Sequence, residues 1–583
     1  MQRVHWAWVV LLILVGILYL FGLNSPYAPT NGDEMVYIHI ARMTAESGHW
    51  LPLQSELSHM RNTKPPLLFW QAMVAGGDWG LGQHWQLWAL RLPSVIYTFL
   101  TTGFIAFFTH RICKEWRTAI IAACLYLLFF STFRYGRVYL TSAPETFWLA
   151  LPMWWLLWQG GVARWNALTY TLIGIAMGIG CLYKSFALAA PAAAALWCAV
   201  VFLQPWQGWK PQNWRMMLRP TVGIAWSTVL AVAIFGLWFA LDPDPAAVWH
   251  EFVVGENGGK MSNAQGYWHN ALSGEYPMWP QLLAYPINAG LLFLVVVGWM
   301  VVNIRQTAIR SESTQNPSQR ILWIWLAVWL VVFTIPSQRS ERYLIPAMPA
   351  LAILMALQWE KLPAWSFRAT LVLILPAVLI MGRVGWVTGD LGIASSIEVA
   401  MFMLVIGTGA ASVIAGFWHP QWLRPATLSA VGLVYAGFGL MVQPLTHANA
   451  QYNPPIGNAL NGINGKRVAI PNGFTGQYER FQFVLPQVRR IPYDVDGRNT
   501  GAFQPELPPE PRLRYLLKEF DAVVWYQNNN DETEPPCKPQ CTVLGSRWHI
   551  KSRHKSGEVT FSNIWHPQEW LFRREWLIEP KYD

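Results

Sequence analysis

Two adjacent carboxylates, Asp33 and Glu34, follow the first long apolar run of the chain, and Lys64 stands farther on in Lys64-Pro65-Pro66, ahead of the aromatic stretch Leu67-Leu68-Phe69-Trp70. A positioned carboxylate can accept the proton of an attacking hydroxyl, and a lysine fixed by prolines can hold an anion. More cations recur in short turns between apolar runs: Arg134 and Arg137, then Lys184, then Arg339 and Arg342 beside Glu341 and Tyr343. Each has a plain alternative. Acids favour a helix N-terminus, and long basic side chains snorkel at helix ends. Taken together, several cations on the side where Lys and Arg are disfavoured call for a shared anionic ligand, such as a phosphate at the interface.

One chemistry joins acid, base and membrane. A sugar linked to a lipid phosphate keeps its phosphate at the interface and its tail in the bilayer. A carboxylate takes the proton of an incoming hydroxyl while lysine and arginine stabilise the charge on the departing phosphate. That leaving group needs no second acid, unlike a plain glycoside.

The elements that must position these groups are helices. Of 583 residues, 53% are hydrophobic and 13% charged, about half the charge of a soluble protein, which excludes a soluble multidomain enzyme and a disordered chain. The 36 Trp and 20 Tyr suit membrane–water boundaries. Thirteen apolar runs begin near Trp6, Leu90, Thr118, Ala143, Leu168, Phe186, Val222, Ile287, Ile321, Tyr343, Ala369, Ile397 and Ala426, the fifth and sixth parted by Tyr183-Lys184-Ser185. The fold class expected is an all-α polytopic membrane protein with a small α/β domain at its C-terminal end. The net charge of +10 lies mostly in short loops, among them Arg111, Lys114, Arg117, Arg215, Arg219, Arg305, Lys361 and Arg368, so the balance reads as topology and not as nucleic-acid binding.

Those loops belong in the cytoplasm. Two long loops, near residues 24–89 and 242–283, then lie outside with everything after about residue 444. The domains expected are 1–444 in the membrane and 445–583 as an outer α/β unit. In the latter, Lys466–Pro471, Arg480–Leu485 and Asp521–Tyr526 read as strands and Arg512–Phe520 as a helix. Cys537 and Cys541 are placed for a short disulfide in an oxidising compartment. The absence of an Asn-x-Ser/Thr site in the outer segments favours a bacterial inner membrane with a periplasmic tail.

The motif order adds a resemblance. Asp33-Glu34 with Tyr37, Ala41-Arg42 to Ser47-Gly48, Lys64-Pro65-Pro66-Leu67, Leu90-Arg91-Leu92-Pro93-Ser94, Tyr183-Lys184 and Arg342-Tyr343-Leu344-Ile345-Pro346 follow one another as in the GT-C glycosyltransferases. The chain resembles in particular the lipid A aminoarabinose transferases and protein O-mannosyltransferases. The resemblance implies inverting transfer of a sugar from a polyprenyl phosphate to lipid A, another envelope glycan or a protein. It makes Asp33 the base, with Glu34 adjusting it, and Lys64 the donor-phosphate ligand. Lys184, Arg342 and Tyr343 would line the lipid-phosphate site, and Arg137 joins them as a candidate. Thr63 and Val36 stand where those relatives carry an acid and a base. Glu145 lies near a second expected acid and is an accessory candidate.

In the second outer loop, Glu256-Asn257 and Tyr267-Trp268-His269 are expected to cover the site, His269 being a second accessory candidate. His250 and Glu251 alone do not define a metal site, and no obligatory metal or cofactor is expected. The partners expected are the lipid-linked sugar, membrane lipids and the acceptor. Two other readings are a lipid-linked-sugar flippase, for which the chain lacks related halves, and a silent relative whose tail binds an envelope partner.

Overall fold

The structure, a computed structural model, describes residues 2–27, 32–56, 61–77, 85–160, 166–203, 214–258, 266–309, 316–447, 465–472, 477–485, 488–495, 507–527, 532–551, 554 and 557–581. Each of the thirteen apolar runs contains helix: α1 (Gln2–Leu20), α4 (Leu87–Cys113), α5 (Trp116–Leu128), α7 (Ser142–Trp158), α8 (Ala167–Tyr183), α9 (Ala189–Leu203), α10 (Trp214–Leu241), α14 and α15 (Ala284–Ala289, Phe293–Ile309), α16 (Pro317–Thr334), α17 (Met348–Leu357), α18 (Ala364–Asp390), α19 (Ser396–Trp418) and α20 (Leu423–His447). Seven helices in the described residues are long and apolar enough to span a bilayer. The chain is a helical, multi-span membrane protein.

Helix starts follow local chemistry. Asn166 accepts the Thr169 N–H ahead of α8, Asn316 accepts the Ser318 N–H with Pro317 in the first turn of α16, and Ser395 with Glu398 forms a capping box on α19. Two of the elements between α1 and α4 matter for the site: α2 (Gly32–Glu46), ended by Gly48 at φ +74°, and α3 (Pro66–Gly76).

Five strands between Arg467 and Pro580 form one sheet ordered β2-β1-β3-β5-β4. The strands are β1 (Arg467–Asn472), β2 (Arg489–Asp494), β3 (Ala522–Tyr526), β4 (Cys541–Ile550) and β5 (Phe572–Pro580). The first three run parallel, and β5 runs antiparallel to both β3 and β4. Side chains alternate between faces. Val468, Ile470, Val524 and Leu577 meet Tyr478 and Phe481, whereas Ala469, Val523, Trp525 and Ile578 meet Leu513 and Leu516 of the helix Pro509–Glu519.

One expected strand is absent. Arg480–Leu485 is not extended, because Gln477–Gln482 winds into a 3-10 helix whose Tyr478 and Phe481 plug the sheet's lower face. Its apolar content reflects burial by packing, not strand alternation. The strands β4 and β5 went unread, their Arg, Trp and His content masking the alternation. Cys537 and Cys541 are joined in a disulfide.

The sheet unit sits on the membrane part through buried polar contacts. The Tyr27 hydroxyl is 3.3 Å from His549 Nδ1, and Trp548 donates to the Leu391 carbonyl. Burial, then the charges of Arg480, Arg547 and Arg573, hold His549 well below its ordinary value, so it stays neutral in the fold. An unfolded histidine takes up a proton near pH 6.5. The unfolded state therefore gains protons that the native state refuses, and stability must fall as pH drops below about 6.5. The unfolding temperature in detergent is expected to fall from pH 7.5 to 5.5, and His549→Gln to flatten that slope; equal slopes would remove His549 as the cause.

Candidate functional site

Four helix ends converge on one cavity. Asp33 begins α2, where the helix dipole favours a carboxylate. Lys64 precedes α3, ahead of Pro65, whose backbone is extended, and Pro66, the first residue of the helix. Lys184 occupies the break between α8 and the 3-10 turn Phe186–Leu188, whose first residues the Ser185 hydroxyl caps. Arg342 lies in the 3-10 helix Glu341–Ala347 that leads into α17.

These residues line a polar cavity of about 250 Å³ together with Tyr37, Thr141 and Glu256. Asp33 Oδ2 is 3.4 Å from an Arg342 guanidinium nitrogen, and both side chains keep about a third of their surface exposed (37% and 33%). Lys64 Nζ pairs with Glu256 at 2.8 Å and donates to the Thr63 carbonyl. Lys184 Nζ pairs with buried Glu145 at 2.9 Å and lies 5.4 Å above the Tyr343 ring. Burial and then Asp33 push the Tyr37 phenol well up, so it enters the cavity as a neutral donor.

A second cavity of about 410 Å³ opens beside the first, lined by Phe186, Leu188, Val253, Phe333 and Pro336. The two share Lys64, Lys184, Glu256 and Tyr343. An acid and several cations thus meet at the mouth of an apolar chamber, an arrangement suited to an anionic head on an apolar tail.

Three candidates fall outside this group. Glu34 is fully buried and turned away from Asp33: Arg91 grips it through two 2.8 Å hydrogen bonds, and the Tyr139 N–H donates to it. Successive helical residues point 100° apart, so adjacency in sequence separates these carboxylates. Arg137 is buried with its guanidinium on the Leu18 and Phe21 carbonyls, capping α1 and away from the cavity. His269 is exposed on the short helix Tyr267–Leu272 and lines neither cavity.

Arg339 serves the chain too, donating to the Thr334 and Tyr276 carbonyls. Of the segment expected to cover the site, Glu256 and Asn257 line a cavity, whereas the Tyr267 hydroxyl bonds the Ile335 carbonyl. Glu251 is taken by Asn62 and Arg61. Among the described residues no three His, Cys, Asp or Glu side chains converge on a metal position. Thr141 and Ser340 at the cavity went unread; no local signal marks a hydroxyl brought in from another helix.

Comparison with known proteins bears on the fold and the family resemblance. A family model, dolichyl-phosphate-mannose-protein mannosyltransferase, matches residues 7–246. An undecaprenyl phosphate-alpha-4-amino-4-deoxy-L-arabinose arabinosyl transferase of Pectobacterium atrosepticum is 25% identical over 355 residues, 60% of this chain and 58% of that protein. The matched stretch therefore spans less than two thirds of that relative. The Erwinia tasmaniensis protein of the same name is 25% identical over 426 residues, 69% of this chain and 70% of that protein. The structure of ArnT from Cupriavidus metallidurans bound to undecaprenyl phosphate superposes with a TM-score of 0.58 at 15% identity, covering 97% of this chain and 98% of that one. Its apo form gives 0.55 at 16%, with 97% of each chain covered. The chain has the GT-C fold of these structures and resembles the glycosyltransferases of the aminoarabinose transferase and protein O-mannosyltransferase type.

Proposed function

We propose that this protein is an inverting glycosyltransferase that moves a sugar from a polyprenyl phosphate to an envelope acceptor at the periplasmic face of a bacterial inner membrane. The observation that carries the reading is the shared wall of the two cavities: Lys64, Lys184 and Tyr343 border both the polar chamber of Asp33 and an apolar chamber fit for a prenyl chain. Asp33 takes the proton of the acceptor hydroxyl as its oxygen bonds to the anomeric carbon. The bond from that carbon to the phosphate oxygen breaks, and its electron pair leaves with the polyprenyl phosphate. Lys64, Lys184 and Arg342 stabilise that charge in a site partly shut from water. Glu145 keeps Lys184 aimed at the chamber. On this reading residues 1–444 carry catalysis, and 445–583 form the outer unit.

The relatives' names make a 4-amino-4-deoxy-L-arabinosyl donor the first to test, with lipid A as acceptor before other glycans or proteins. Purified protein supplied with labelled donor and acceptor should transfer label and release one undecaprenyl phosphate per sugar. Label that crosses a vesicle membrane without changing its chemical linkage would mean a flippase instead.

Lys64→Ala should weaken undecaprenyl phosphate binding by about 1.5–3 kcal/mol, the worth of a charge-assisted hydrogen bond, or roughly ten- to more than hundredfold in Kd. The loss has a second part, because the Glu256 carboxylate no longer has Lys64 between it and the phosphate. Equal affinity for wild type and variant would remove Lys64 from the phosphate site.

A further inference from the structure

The 3-10 helix Gln477–Gln482, which follows the carboxyl end of β1, carries Glu479 onto α2. Glu479 is fully buried. Its carboxylate accepts from Arg42 Nε at 2.6 Å and from a second Arg42 nitrogen at 3.1 Å, and lies 3.0 Å from His39 Nδ1. The other ring nitrogen of His39 accepts the Glu56 N–H at 3.1 Å, so the Nδ1 proton points at Glu479. Tyr478 adds its hydroxyl, 3.2 Å from Glu56 and 3.3 Å from His39.

The same unit holds the segment upstream. Tyr27, buried just before residues 28–31, meets His549 of β4, and His549 packs against Arg480, the neighbour of Glu479. Arg480 in turn reaches Glu575 and Tyr526. Both sides of Asp33 are therefore tied to one sheet.

Helical phase gives these ties a consequence. On α2, Asp33, Val36 and Tyr37 share the face that lines the polar cavity, whereas His39, Arg42 and Glu46 share the face turned to the tail. Glu34, held by Arg91, fixes the start of the helix, and Glu479 fixes its middle. Two anchors on different sides of one helix fix its rotation, and rotation decides where the Asp33 carboxylate stands. An acid that reacts across a gap of about 3 Å loses on the order of hundredfold in rate on a 1 Å displacement.

We propose that the C-terminal α/β unit is a clamp on the acceptor-activating helix, with Glu479 a positioning residue that sets Asp33 through His39 and Arg42. The inference rests on the transferase reading above and adds to it a catalytic purpose for the tail. Burial would raise the Glu479 carboxyl, but hydrogen bonds from His39 and Arg42 and the charge of Arg42 outweigh it and hold the group down to about 2, so the clamp stays ionised at any working pH.

The test is Glu479→Gln in the full-length chain, read by three measurements. Amide hydrogen exchange over residues 32–46 should quicken. Turnover should drop about ten- to hundredfold with the donor KM and the undecaprenyl phosphate Kd within twofold of wild type. Glu479→Asp, which keeps the charge, should recover most of the turnover. A defect that is only structural would move the unfolding temperature, donor binding and turnover together.

Unchanged exchange in α2 overturns the clamp, and quickened exchange with wild-type turnover overturns the positioning role. If Glu479→Gln does not fold, His39→Leu removes the His39 bonds to Glu479 and to the Glu56 N–H and leaves Arg42–Glu479 in place; the same split is then expected at about two- to tenfold, and its absence overturns the proposal. Should the wild-type chain transfer no sugar from any donor, the transferase reading fails on its own, and the exchange measurement still decides the clamp.

Discussion

Asp33→Asn is expected to lower sugar transfer by about 10²–10⁴, the contribution of a positioned general base, while undecaprenyl phosphate still binds. Asparagine keeps the size of the side chain and one acceptor oxygen but cannot hold the acceptor's proton. The fold has little reason to object, since Asp33 keeps over a third of its side chain exposed and its ion pair with Arg342 spans 3.4 Å. Surface pairs of that kind add on the order of 0–1 kcal/mol to stability. Phosphate affinity should hold or rise slightly, because the substitution removes a negative charge from a cavity lined by Lys64, Lys184 and Arg342. Single-turnover transfer with preloaded donor separates the chemical step from binding. Transfer at wild-type rates would end the assignment of Asp33 as the base.

The second large effect is on stability and belongs to the neighbouring carboxylate. Glu34→Ala leaves Arg91 buried with no counter-ion, and breaking such a pair from one side costs about 3–5 kcal/mol. The Tyr139 N–H loses its acceptor as well. Arg91 holds more than its partner: it also donates to the Leu23 and Ser25 carbonyls, which fixes the exit of α1. The double variant Glu34→Leu/Arg91→Leu should therefore recover part of the loss by removing both charges, but not all of it. Thermal unfolding in detergent reads both. A Glu34→Ala protein within about 0.5 kcal/mol of wild type would mean that the pair is not shut from water. The two experiments form a contrast, with Asp33 affecting rate but not stability and Glu34 affecting stability first.

That contrast shows where sequence reading stops. Asp33 and Glu34 are adjacent, chemically alike and equally suited to a base on paper. Their roles part because α2 turns 100° per residue and only one direction faces the cavity. Arg137 failed for a related reason. An arginine in an outer turn has the same appearance whether it meets a ligand or the free carbonyls of another helix, and α1 supplies those carbonyls from over a hundred residues away. The stretch Arg480–Leu485 was misread as a strand because burial by packing and burial in a sheet demand the same apolar residues.

Composition and order by themselves determined a helical membrane protein with a polar C-terminal unit, and they placed Asp33, Lys64, Lys184 and Arg342 at the ends of helices. That much is local: a span must be apolar, and a charge is tolerated only where a helix breaks. Which charges share a cavity was decided by tertiary structure alone, since Lys64 with Glu256 and Arg42 with Glu479 are joined across 192 and 437 residues. Nothing in a local pattern can encode the partner of a buried charge. The penalty for leaving that charge unpaired in a medium without water selects the partner, and the chain discovers it only by folding.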